Sequence, residues 1–366
     1  MKIEVIKDKL QNAVTRASRL AAKHPSLPIL SHLLLTAKRG TLTVRATNLD
    51  MGVEYSIPVR VERDGVAAVP AAVFASFVSN LVGAKNVTVE LKEGKLFVVA
   101  AGASAHIHSP AADEFPTIPK AEHISFSLDS RVLLKGLRGV QYAGALGNLK
   151  PELSSVYLYQ DGEALVFAAT DSFRLAEERV PLKKTAASFS PALIPLKNAA
   201  EFARILEEEQ GDIRVFIGKG QFSIEGTGLL ATSRLTEGSF PDYRQIIPSA
   251  FVAEAVVLKE DVVNALRLTA LFSDRFNQLH LSLDPKKKTL EISAKSGGLG
   301  EGAALVPAAL SGEAVQNNFN HRYITDCLPA ISGDSVSFRF SGENKPLLVC
   351  GVGNASFRYL VMPMNR

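Results

Sequence analysis

Residues able to do chemistry are thinly scattered along this chain. Asp171 and Arg174, three positions apart, set a carboxylate beside a guanidinium, and Asp171 with Asp242 would be the acids of a nuclease. No histidine or second carboxylate stands near Asp171 in sequence, so the Asp171/Arg174 pair reads as a structural corner. His106 and His108 share one face of a strand by alternation, but no third metal ligand follows them. Cys327 and Cys350 form no CxxC and match no zinc spacing, so two buried free thiols in a reducing compartment are expected. The run from Gly211 to Gly218-Lys219-Gly220 resembles a phosphate loop only in its glycines. Its spacing differs, Gly follows the lysine where Ser or Thr is needed, and it lies between two strands, so it reads as a hairpin turn. Gly297-Gly298-Leu299-Gly300-Glu301-Gly302 lacks the GxGxxG spacing and sits at a strand corner. Nucleophile elbow, HExxH and paired-acid patterns are missing. No catalytic residue, metal site or cofactor is expected, which weighs against an enzyme.

What the chain does repeat is positive charge on predicted helices. The first helix of each third is basic: Lys7, Lys9, Arg16, Arg19 and Lys23; then Arg131, Lys135 and Arg138; then Lys259, Arg267 and Arg275. Second helices add Lys197, Arg204 and Arg322, opposed by Glu207-Glu208-Glu209. An ordinary solvated helix face is one reading. A surface aimed at phosphates is the other, with contacts indifferent to base sequence and weakened by salt. No aromatic residues interleave with these cations, so a duplex-following surface fits better than a single-strand stacking groove. The formal net charge of +4 is compatible with a nucleic-acid partner.

The elements that must position these residues recur. Ser155 to Leu182 predicts three strands, with a hairpin turn at Asp161-Gly162 and a polar corner at Thr170-Asp171-Ser172. His32 to Val59 has the same plan, with a turn at Arg39-Gly40 and a corner at Thr47 to Asp50. Gln278 to Pro307 repeats it, turning at Asp284-Pro285-Lys286 and cornering at Ser296 to Gly302. Thr47 and Thr170 lie 123 residues apart, and a third of the 366-residue chain is 122. Within the first third the order strand, helix, three strands occurs twice. Ile3 and Val5 start it, Lys9 to Ala22 is the first helix, and strands follow at 29–37, 41–47 and 53–61. Val73, Phe74, Phe77, Val78 and Leu81 then form the stripe of the second helix. The second third predicts a strand at 124–128 and a helix at 131–142; the last third predicts helices at 260–271 and 322–331. Proline clusters at Pro116/Pro119 and Pro241/Pro248 mark the joints. The expected class is α+β, with domains at 1–121, 122–249 and 250–366, each a doubled strand–helix–three-strand unit. The start has no apolar signal region, and no stretch reaches the roughly 18 apolar residues of a membrane span, so a soluble cytoplasmic protein is expected.

At this point the residues carry a resemblance. Ala169-Thr170-Asp171-Ser172-Phe173-Arg174-Leu175-Ala176, the closure Phe240-Pro241-Asp242-Tyr243-Arg244, the ending Tyr359-Leu360-Val361-Met362-Pro363-Met364, and Leu27-Pro28-Ile29-Leu30 resemble the bacterial DNA polymerase III beta subunit, the sliding clamp. The resemblance spans the whole chain. It implies a non-enzymatic processivity factor: a head-to-tail homodimer closing a ring with helices inside, around double-stranded DNA. It places Lys9, Arg16, Lys23, His24, Arg138, Lys150, Lys197, Arg204 and Arg267 toward DNA. The dimer edges fall near Ile107 and near Ala270 and Leu271.

The resemblance further implies a pocket for a short peptide bearing glutamine and large apolar side chains, carried by the replicative polymerase, the clamp loader and repair proteins. Its positions are Leu153, Thr170, Ser172, Phe173, Arg174, Leu175, Pro241, Gln245, Ile246, Asn320, Tyr323, Met362, Pro363, Met364, Asn365 and Arg366. Leucine, methionine and proline would make the cleft apolar and adaptable. Leu175 and Met362 also suit a plain core. Three departures stand out: Ser172-Phe173 replaces a common Gly-His pair, Gln245 replaces a frequent basic residue, and Glu152-Leu153 lacks tyrosines found in some relatives. The first two change the pocket's shape and charge. The sequence pI near 8.9 also contrasts with an acidic family tendency. Alternatives are a divergent or plasmid-borne paralogue with other partners, or a non-ring DNA-binding scaffold.

Overall fold

The computed structural model describes residues 1–21, 26–119, 126–147, 149–182, 189–286 and 288–364. The expected helix end at Ala22, the strand start at Ile124, and Lys23, His24, Asn365 and Arg366 lie outside them. Six helices are described: α1 (Lys7–Ser18), α2 (Ala71–Ser79), α3 (Ser130–Val140), α4 (Leu196–Glu207), α5 (Lys259–Ala270) and α6 (His321–Cys327).

Two compact units result. The first comprises Met1–Ser130 and Arg204–Leu235; the second comprises Arg131–Ala203 and Thr236–Arg366. The first holds a five-stranded sheet in the order Arg60–Arg63, Lys2–Ile6, Asn86–Lys92, Lys95–Ala100, Ala103–His108. It also holds an eight-stranded sheet: Phe126–Asp129, Asp212–Gly218, Gln221–Gly226, Leu229–Arg234, Met51–Pro58, Thr41–Thr47, His32–Lys38, Gly65–Pro70. The second unit holds twelve strands: Ala192–Pro195, Ser155–Asp161, Ala164–Thr170, Arg174–Pro181, Asn354–Val361, Leu347–Gly351, Ser335–Phe340, Ala253–Leu258, Gly300–Gly312, Thr289–Ser296, Gln278–Asp284, Val315–Asn320.

The repeats are therefore stitched by main-chain hydrogen bonds. Leu229–Arg234 of the second repeat pairs antiparallel with Met51–Pro58 of the first, and Arg174–Pro181 pairs with Asn354–Val361 of the third. One face of each helix closes a core. α1 buries Leu10, Ala13, Val14 and Ala17 over the strands Thr41–Thr47 and Met51–Pro58. α5 buries Val262, Ala265, Leu266 and Thr269 over Gly300–Gly312 and Thr289–Ser296. Gly136 lets α3 lie close to its sheet, because a Cβ there would stand 2.2 Å from Phe167 Cε2.

Four local readings change. The strand expected from Ile29 begins at His32, because Pro28–Ser31 forms a single 3-10 turn closed by Ser31 Oγ donating to Pro28 O at 2.7 Å. The strand expected to run to Val61 stops at Pro58, and the chain crosses to the other sheet as Arg60–Arg63. Helix 322–331 ends at Cys327 and continues as the 3-10 turn Leu328–Ala330, since Pro329 has no N–H for the next helical bond. Val315–Asn320 is an added strand whose polar run Gln316-Asn317-Asn318 hides the alternation. Within the α2 stripe, Val73 faces outward and is exposed.

Candidate functional site

The corner at Thr170 is built by its own side chains. Thr170 Oγ1 donates to Arg174 O at 2.6 Å and accepts from Ser172 N at 3.1 Å. Asp171 Oδ1 accepts from Phe173 N at 2.9 Å and Arg174 N at 3.0 Å. Ser172 takes a positive φ of 79°, a conformation that hydrogen bonding must hold in place for a residue with a Cβ. Thus the carboxylate of Asp171 is occupied as a turn former, as its spacing from Arg174 suggests.

Arg174 leaves this corner nearly buried and fully engaged. Its Nε donates to Asp171 Oδ2 at 3.0 Å, its Nη1 to Asp326 Oδ2 at 2.6 Å, and its guanidinium lies 4.5 Å from the centre of the Tyr323 ring. Burial works against its charge, but Tyr359, Asp326 and Asp171 outweigh that and push the pKa up. Tyr323 sits on α6, whose first turn is capped by Asn320 Oδ1 accepting from Arg322 N at 2.9 Å. The chain end passes alongside: Met362 N donates to Phe173 O, and Met364 N to Asn318 O, both at 2.8 Å. So Thr170, Ser172, Phe173, Arg174, Tyr323, Asn320, Met362 and Met364 are brought into one connected region, with Pro363 between the two anchors. Phe173 is exposed, and Met362 is half-buried.

The segment 240–247 packs beside Leu175 and Leu360 through Tyr243. Tyr243 is buried, donating to Glu177 Oε2 at 2.6 Å and meeting Tyr159 Oη at 2.8 Å. Arg244 Nη2 donates to that same Tyr159 oxygen at 2.9 Å. Burial first, then the Glu177 carboxylate, holds the Tyr243 hydroxyl far above the ordinary tyrosine pKa. The anchor leaves Pro241, Gln245 and Ile246 exposed on the outer side, with Gln245 Nε2 bonded to Asp242 Oδ2 at 2.7 Å. Leu175 belongs to the core formed with Tyr159, Val166, Ala168, Tyr243, Leu348 and Leu360. Leu153 is buried just before strand Ser155–Asp161. Sequence reading missed Asp326, Asn318, Glu177 and Tyr159. Asp326 is 152 residues from Arg174, and nothing local signals their contact.

Lys9, Arg138, Lys150, Lys197, Arg204 and Arg267 are exposed. Arg16 corrects the reading of α1. Its side chain is 15% exposed, paired with Glu209 at 2.7 Å and Glu208 at 3.2 Å. Its guanidinium also lies 4.6 Å from the Tyr55 ring centre. It fastens α1 to the chain beyond α4 instead of presenting charge to solvent. Ile107 likewise turns inward, buried on Ala103–His108, while that strand's outer backbone edge pairs with no other strand among the described residues. Ala270 is half-buried, and Leu271 is exposed beside exposed Leu268 and Phe276. Both cysteines are buried free thiols. His106 packs on Phe97 with ring centres 4.4 Å apart. Among the described residues no group of three His, Cys, Asp or Glu could hold a metal, and no helix is long and apolar enough to cross a membrane.

Repeated α+β units joined edge to edge define a sliding-clamp fold. The Bacillus subtilis DNA polymerase sliding clamp superposes with a TM-score of 0.95 at 24% identity, covering 100% of this chain and 99% of that one. The Pseudomonas aeruginosa clamp gives 0.93 at 24%, covering both chains completely. Family models of the DNA polymerase III beta subunit match in order: the N-terminal domain at 1–119, the central domain at 127–242 and the C-terminal domain at 244–365. The beta sliding clamp of Synechococcus elongatus is 29% identical over 371 residues, and that of Escherichia coli K12 is 27% identical over 372. Each comparison covers all of this chain and at least 99% of the relative. The chain belongs to the DNA polymerase III beta subunit family, and its function is that of a DNA sliding clamp.

Proposed function

We infer that two copies of this chain join head to tail into a ring of six domains that encircles duplex DNA and tethers the replicative polymerase. One full-length observation carries the reading: a single α+β architecture recurs through the chain, matched in order by all three domains of one family. The three domains are taken as 1–121, 122–249 and 250–366. Two strand edges left unpaired among the described residues support a heterologous contact. Ala103–His108 ends the five-stranded sheet, and residues 300–307 pair on one side only, with Thr289–Ser296. Exposed Leu271 and Leu305 supply apolar surface near the second edge. A head-to-tail contact that closes after two subunits gives a ring.

Exposed Lys9, Arg138, Lys150, Lys197, Arg204 and Arg267 meet phosphates; contacts of this kind do not read sequence and permit sliding. The region around Arg174, Tyr323, Phe173, Ile246 and Met362 takes the apolar peptide of polymerase, clamp loader and repair partners. Phe173 and Ile246 give it exposed apolar surface. The protein has no chemistry of its own and acts in the cytoplasm. Retention on nicked circular versus linear duplex tests the ring. Protein should stay on the circle and slip from free ends; equal loss from both, or a monomer by light scattering at micromolar concentration, refutes it.

A further inference from the structure

The first unit contains the same corner. Thr47 Oγ1 donates to Met51 O at 2.9 Å and accepts from Leu49 N at 3.1 Å. Asn48 Oδ1 accepts from Asp50 N at 3.1 Å and Met51 N at 2.8 Å. Leu49 takes φ of 75°, matching 79° at Ser172. Arg234 N donates to Asp50 O at 2.8 Å, as Met362 N does to Phe173 O. Ser233 stands opposite Met51, as Val361 stands opposite Arg174. Every main-chain bond of the frame is thus duplicated, 123 residues earlier in the chain at the corner itself.

Beside this corner is a cavity of about 360 Å³, within the size range of ligand pockets. The Pro116–Pro119 segment and the Lys219-Gly220-Gln221 turn wall it. Its polarity is inverted relative to the second unit. Buried Met51 replaces the cation Arg174, and Arg234 replaces Met362 in the crossing strand. Lys219 and Arg234 are both exposed on the lining, against one carboxylate, Asp50. Leu49, Met51 and Ile118 supply an apolar strip, beside the neutral polar side chains of Gln221, Thr232 and Ser233.

We propose that the cavity at the Thr47–Met51 corner is a second peptide site, taking a short extended segment with large apolar side chains flanked by acidic ones. The apolar group sits over Met51 and Ile118; carboxylates meet Lys219 and Arg234. The proposal borrows only a backbone frame from the reading of the second unit, and its ligand follows from the first unit's own charges.

The chain has four methionines, which serve as reporters: Met51 in this cavity, Met362 and Met364 at the other pocket, and Met1 as reference. Methyl-labelled methionine in the full-length protein is titrated with acetyl-Asp-Leu-Phe-Asp-amide. The Met51 signal should move saturably, and Lys219→Glu with Arg234→Glu should raise the apparent Kd about tenfold or more. Unmoved Met1 signals in the variant show that its fold persists. An unmoved Met51 at millimolar peptide, or an equal response to acetyl-Lys-Leu-Phe-Lys-amide, overturns the site, as does a Met51 shift produced by a short DNA duplex and not by the peptide. A separate titration with a glutamine- and leucine-bearing peptide reads Met362 and Met364, so each pocket can fail alone.

Discussion

Replacing Tyr243 by phenylalanine removes one hydroxyl from a buried position. The hydroxyl donates to Glu177 Oε2 at 2.6 Å, and the Glu177 side chain is 3% exposed. The cation Arg358 stands 4.0 Å from Oε1. A hydrogen bond to a charged group is worth about 1.5–3 kcal/mol, and deleting the donor leaves the buried carboxylate under-solvated. Tyr243→Phe should therefore cost about 2–3 kcal/mol in urea unfolding followed by circular dichroism. In a Glu177→Gln background the same change removes only a neutral bond, worth about 1 kcal/mol. The difference, about 1–2 kcal/mol, is the coupling that a double-mutant cycle reads. Losses below about 0.5 kcal/mol, or equal in both backgrounds, would show that the short contact carries no such energy. The anchor also fixes segment 240–247, so peptide affinity should fall in the single variant.

Three further outcomes are expected. Arg16→Ala should lower stability yet leave the salt dependence of DNA retention unchanged, whereas Lys197→Ala should reduce the slope by about one counterion; a slope change from Arg16→Ala would contradict its pairing with Glu208 and Glu209. Removing Met362 to Arg366 should abolish binding of a polymerase tail peptide while light scattering still reports the dimer; unaltered affinity would refute the pocket. Burial is the largest cause that raises the hydroxyl pKa of Tyr142, Tyr243 and Tyr359. In the unfolded chain these groups ionise near pH 10, so above that the folded state holds more protons and stability falls as pH rises. The unfolding free energy from urea melts should hold up to about pH 9 and then drop by as much as about 1.4 kcal/mol per pH unit per tyrosine. Tyr142→Phe should flatten that slope; an unchanged slope would count against a protonated buried phenol.

The amino-acid sequence by itself determined the threefold repeat, the hairpins and the polar corners. These depend on alternation and on side chains bonding within about four residues, information that is local. The corner bonds of Thr47 and Thr170 are legible for that reason. Tertiary structure alone decided which cations are presented. Lys9 and Arg16 look alike on α1, yet Arg16 meets Glu209 only because Arg204–Leu235 folds with the first repeat. It also decided that Arg174 faces Asp326 and Tyr323, and that repeats share sheets across their proline joints. Partners brought together over more than a hundred residues are chosen by packing and strand register, and periodicity within one segment carries no record of them.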